Sequence, residues 1–142
     1  MKEQSLKSHA QYVPGYHYIT SFFVLAVLIL SILFVVKQGS EQLLLGVILL
    51  FVSASLLGIF WYARVFALKA QDRAIRAEEN FRYFVLTVKP LPSSLRMSQI
   101  IALRFASNEE YLALVDRAVA EKLPSKEIKA AIQSWRPDYH RA

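Results

Sequence analysis

Histidines, cysteines, paired carboxylates and glycine-rich turns are where protein chemistry usually begins, and this chain arranges few of them usefully. There are three histidines, at His9, His17 and His140, and no cysteine. Without cysteine there are no disulfides, no thiolate metal sites and no thiol nucleophile. His9 and His17 flank Pro14 and Gly15, with Glu3 as the one carboxylate nearby, which is too small a donor set for a metal centre. Glu78–Glu79 and Glu109–Glu110 are adjacent pairs, so on a helix they point to different faces and form no acid/base dyad. The four glycines, at 15, 39, 46 and 58, build no phosphate-cradling loop. The residues therefore imply no active site, no cofactor, no metal and no small-molecule substrate.

The elements explain the shortage of chemistry. Residues 18–36, YITSFFVLAVLILSILFVV, and 43–63, LLLGVILLFVSASLLGIFWYA, carry no charge. As helices they are about 28 and 31 Å long, matching a hydrocarbon core of about 30 Å. Helix is the state in which every backbone group is hydrogen-bonded within its own segment. The first run is too long for a signal-peptide core and lacks a small-x-small cleavage site before Lys37. The expectation is a retained two-helix transmembrane hairpin. Its polar side chains are hydroxyls and interfacial aromatics, with none of the ionisable groups that proton relays and ion pathways require.

Charge sets the expected topology. Formal net charge is +6, from 17 Lys and Arg against 11 Asp and Glu. The loop KQGSEQ holds one Lys, whereas Arg64, Lys69, Arg73, Arg76 and Arg82 follow the second run closely and Lys2 and Lys7 precede the first. The positive-inside rule puts both termini in the cytoplasm and the short loop outside. Tyr12, Tyr16 and Tyr18, and Trp61 and Tyr62, stand where interfacial aromatic belts belong.

Segments follow from the breakers. Residues 1–17 form an N-terminal interfacial segment, with Pro14 and Gly15 reading as a turn. No Gly after 58 and no Pro before 90 interrupts the second helix, so a helix of about 46 residues continues through a cytoplasmic extension at 64–89. Pro90 and Pro92 make 90–97 a linker. A three-helix bundle at 98–142 completes an all-α fold. Ser98 caps its first helix, and Ser107 with Glu110 forms a capping box for the second. Pro124 and Ser125 start the third, which carries Ile128, Ala131, Ile132 and Trp135 on one side and stops at Pro137.

One stripe crosses the expected membrane boundary. Phe60, Ala63, Ala67, Ala70, Ala74, Ala77, Phe81, Phe84 and Val88 recur by threes and fours, and Gly46, Leu49, Ser53 and Leu56 extend the stripe backwards. This is coiled-coil spacing. Small residues let backbones approach, the main source of helix association in lipid. Alanine's helix propensity alone would also enrich an extension in alanine. Asp72 with Arg76, and Glu78 with Arg82, are spaced as ion pairs beside the stripe and leave it uncharged. Ala54 and Gly58 make a small-xxx-small pair suited to packing the first span. The seam's occupant is open between the C-terminal bundle, a second copy and a different protein.

Two further places could dock partners. Arg104 stands in an apolar helix, and Trp135, Arg136, Asp138 and Tyr139 form a compact group. Lys126, Lys129 and Arg136 invite comparison with a nucleic-acid recognition helix, but acidic residues are mixed among them and anionic lipid accounts for the excess charge equally well.

HAQYVPGYHY (9–18), LKAQDRAIRAEE (68–79), IALRFASNEE (101–110) and IKAAIQSWRPDYHR (128–141) together resemble an uncharacterised family of small bacterial two-span membrane proteins. The resemblance supports the topology and carries no activity or catalytic residue. The expected function is a non-enzymatic membrane-anchored accessory or scaffold subunit that self-associates or joins a larger complex. The alternative is a tethered regulatory module binding a soluble partner, anionic lipid or nucleic acid.

Overall fold

The computed structural model describes residues 12–38 and 40–137. It is all-helical, and among the described residues there is no β-strand. A π-helical turn, Gly15–Thr20, leads into α1, Ser21–Gln38. Then come α2, Leu43–Thr87, α3, Met97–Leu103, α4, Asn108–Ala120, and α5, Ser125–Ala131. Gly15–Gln38 and α2 are both long and apolar enough to cross a membrane. The chain divides into two compact units, Tyr12–Ala67 and the chain from Leu68 onward.

In the first unit Pro14 opens the helix where the sequence suggested a turn. Its φ of −57° suits a first helical turn, and its missing N–H costs nothing there. The wide turn is held by side chains: Thr20 Oγ1 donates to Gly15 O (3.0 Å) and Ser21 Oγ to Tyr16 O (3.3 Å). His17 Nδ1 lies 3.1 Å from Val13 N, so this histidine has a local, structural contact. α1 meets α2 through small and polar groups. Ser31 Oγ and Ser53 Oγ are 2.8 Å apart and buried, and each also contacts its own helix, at Val27 O and Leu49 O. Two hydroxyl protons serve three short contacts, so one carbonyl is released at any moment. A Cβ on Gly46 would come 2.6 Å from Val35 Cγ2, so only glycine permits this approach. Tyr16 stacks on Phe60 at 4.6 Å and donates to its carbonyl at 2.6 Å. The large apolar side chains point outward: Phe22 is 67% exposed and Leu44 75%.

The second unit is built the other way. Ile75 of α2 joins Leu95, Ile100, Leu103, Phe105, Tyr111, Val115 and Ile128 in one buried apolar cluster. α2 stops at Thr87, where Val88 takes a φ of 59°, a strained value for a β-branched residue. Pro90 then disfavours helix at Lys89. Residues 90–97 are more than a linker. Leu95 is buried, and Leu91 N–H donates to Asn80 Oδ1 at 2.9 Å.

The C-terminal helices differ from expectation at their ends. α3 begins one residue before Ser98, and Gln99 Oε1 accepts from Arg96 N–H at 2.8 Å. The buried Gln99 also donates to Leu123 O at 2.9 Å, tying α3 to the turn after α4. The Ser107–Glu110 capping box is present. Glu110 does more than cap: its carboxylate accepts from Gln133 N–H and Ser134 N–H, both at 3.0 Å. Those bonds, with the antiparallel bridge Ala106–Trp135, compete with helix continuation, so α5 ends at Ala131 and Trp135 lies outside it.

Candidate interaction surfaces

α2 buries one face in the second unit. From Ile75, steps of four and three reach Glu79 and Arg82, the positions facing the core. The alanine stripe lies on a different face. In the first unit Phe60 is half-covered by Tyr16, while Ala63 and Ala67 are exposed. In the second, Ala70, Ala74, Ala77, Phe81 and Phe84 are all exposed, and the C-terminal helices pack beside the stripe and leave it bare. Phe81 and Val88 of the stripe, and Val85 beside it, are each more than 60% exposed.

Ala54 and Gly58 do not make the close approach that their spacing suggested. Ala54 is exposed, and a Cβ on Gly58 would meet nothing within 4 Å. The contact with α1 falls on Gly46, Ser53 and Phe60, the backward extension of the alanine stripe. The contact follows the seven-residue register, in which Ser53 meets Ser31 of α1.

Beneath the α2 face sits a polar node. Arg82 donates to Glu79 Oε2 (3.3 Å), to Asn108 Oδ1 (2.9 Å) and to Ala106 O (2.8 Å), and its guanidinium lies 4.0 Å from the Tyr111 ring centre. The Tyr111 hydroxyl donates to Glu79 O at 3.3 Å. Burial pushes the Glu79 carboxyl above its ordinary range, and Arg82, followed by Tyr111, opposes the shift. Burial, with the Glu79 charge beside it, also raises the Tyr111 phenol far above its usual value. Arg82 thus pairs with Glu79 at i−3, where the sequence suggested Glu78 at i−4, because Glu79 shares the buried side with Ile75. The signal was present: Glu79 and Arg82 share a helical face with Ile75, the one isoleucine of the extension.

The expected Asp72–Arg76 pair does not form, and among the described residues Arg76 and Arg73 take no ion pair or hydrogen bond. Both border a 430 Å³ cleft whose other walls include Asn80, Leu91, Ser93 and Ile100. A second cleft of 720 Å³ is mixed in charge, with Glu78, Glu79 and Glu109 facing Arg82 and Arg136 beside Phe81 and Val85.

The remaining candidates are structural in setting. Arg104 is buried at the end of α3, its guanidinium 4.7 Å from the Phe105 ring centre. Trp135 packs on Phe105 at 5.2 Å. Arg136 is exposed, with its N–H bonded to Phe105 O at 2.7 Å. Asp138 and Tyr139 lie outside the described residues.

The chain belongs to the family of unknown function DUF6526, whose model matches residues 1–142. No curated protein and no solved structure matches it significantly.

Proposed function

We propose that this member of the family is a non-enzymatic membrane-anchored accessory or scaffold subunit. It lies in a bacterial inner membrane with both termini in the cytoplasm, and it associates with its own copies or with other membrane subunits through helix packing. The observation that carries this reading is the face of α2 from Ala70 to Val88, uncharged along its length and exposed, while the neighbouring face is buried. Contiguous exposed side chains as large as Phe81, Phe84, Val85 and Val88 mark contact surfaces in soluble parts of proteins. The inverted first unit, with serines inside and phenylalanines outside, supports a lipid solvent around it. The excess of Lys and Arg next to the second apolar run supports the orientation.

Gentle detergent extraction followed by native mass measurement tests the reading. The expected result is a discrete oligomer or co-purifying membrane subunits, weakened when Ala70 and Ala74 are both replaced by Leu. Overpacking a close contact typically costs about 1–3 kcal/mol. A monomer in wild type, or an assembly indifferent to the double substitution, contradicts it. The Arg73–Arg76 cleft favours a second reading, a tethered module that engages anionic lipid.

A further inference from the structure

We infer that the exposed face of α2 between Ala70 and Phe84 is a homodimer interface, taken by the same face of a second copy in parallel and in register. This rests on the scaffold reading above and commits it to one occupant. The residues that carry it all lie within the second unit. Ala70, Ala74, Ala77, Phe81 and Phe84 hold the a and d places of a heptad, and all are exposed. Ile75, Glu79 and Arg82, which the C-terminal part of the chain contacts, fall on the far side of the helix. A neighbour therefore reaches the seam without displacing the bundle.

Charge chooses the occupant. Arg73 precedes the seam residue Ala74 and Glu78 follows the seam residue Ala77, so they flank the seam on opposite sides, at g and e. Five residues apart, they stand about 140° apart round the helix and do not meet within one chain. Both are exposed, and neither takes an ion pair or hydrogen bond among the described residues. The cation within reach of Glu78 on its own helix, Arg82, is spent on Glu79, Asn108 and Ala106. In a parallel, in-register pair the g residue of one helix meets the e residue five places on in the other. Arg73 then faces Glu78 of the partner subunit, and the two-fold axis repeats the pair on the other side. An antiparallel pair sets e against e and g against g, so the two charges never meet. A partner of unrelated sequence would have to supply both charges at this spacing, whereas this chain supplies them to itself. Phe81 and Phe84 meet their own copies across the axis, which removes exposed rings from water. The seam is short, and confinement of both copies to one membrane supplies effective concentration.

The test uses the full-length chain in phosphatidylcholine liposomes, with Ala74→Cys or Ala77→Cys as the single thiol and copper phenanthroline as oxidant. Each should yield a disulfide-linked dimer, and Lys126→Cys should not. Arg73→Glu or Glu78→Arg in the Ala77→Cys background should need about 10-fold more protein per lipid for half-maximal linking, since each reversal acts at both symmetric pairs. Mixing the two reversed chains, or joining both reversals in one chain, should restore linking, a result that misfolded variants do not give. No dimer from either thiol would overturn the proposal, as would reversals that have no effect or show no rescue. So would Ala70→Cys linking to Phe81→Cys in preference to itself, the antiparallel result. The scaffold reading is judged separately, by native mass measurement on protein extracted from native membranes. Unlinked chains with co-purifying membrane subunits of other sequence sink the second copy alone, whereas an unlinked monomer without such subunits sinks both readings.

Discussion

The two units bury opposite things. Around Phe105 and Tyr111 in the second unit, aromatic side chains are fully enclosed, and a buried carboxylate and guanidinium satisfy each other. Around Ser31 and Ser53 in the first, hydroxyls and Gly46 are enclosed and phenylalanines face out. In water the first arrangement gains from removing apolar area, and the second would lose by exposing it. In lipid the outward phenylalanines cost nothing, and close backbone contact with shared hydroxyls is what remains to hold helices together. One continuous helix, α2, runs through both units. Along it one heptad register reads Gly46, Ser53, Phe60, Ala67, Ala74, Phe81 and, just past its end, Val88.

The same substitution should therefore act differently in the two regions. Phe105→Ala opens a cavity in the second unit and should cost about 3–5 kcal/mol of its stability, read as a lowered urea midpoint in the fluorescence of Trp135. Phe22→Ala, on an outward face of α1, should shift the detergent-solubilised protein by no more than about 0.5 kcal/mol. Comparable losses at both positions would erase the distinction between the units.

A glycine pair sharpens the comparison within the first unit. Gly46→Val drives a branched side chain into Val35 and should cost about 1–3 kcal/mol in helix association, measured by thermal unfolding in detergent. Gly58→Ala meets open space and should be neutral or stabilise by about 0.5–1 kcal/mol through reduced backbone entropy. The reverse order would return the helix contact to the Ala54–Gly58 face.

The smallest effect concerns pH. Because Glu79 has a raised folded carboxyl value, its contribution to stability is fully present below the ordinary value of 4.5 and is lost as pH rises through the raised one. Other carboxylates titrate in the same window, so the difference between wild type and Glu79→Gln isolates the term. That difference should move against wild type as pH climbs from about 4.5. A flat difference would mean that Arg82 cancels the burial cost completely.

Much of this was legible in the residues. Absent charge over two long runs marked both apolar helices, and the missing Gly and Pro between 58 and 90 fixed the length of α2. Ser107 with Glu110 placed the start of α4 because a capping box is a local device. What local pattern missed depended on partners distant in the chain. Glu110 captures Gln133 and Ser134, which shortens α5, and Asn80 holds Leu91, which packs the expected linker. Glu79 outcompetes Glu78 for Arg82 through burial beside Ile75. The stripe was visible as a stripe, but spacing does not say that α1 takes its first part, through Gly46 and Ser53.

The central claim is that the bare face of α2 is covered in the native membrane. A chain without cysteine allows a direct measurement. Single cysteines at 74, 77, 81 and 84 would be labelled with a soluble maleimide, first in native membranes and then after solubilisation to the monomer. The account predicts protection in membranes that is released on solubilisation, with a cysteine at 126 labelled equally in both. Full labelling of all four positions in native membranes would contradict it.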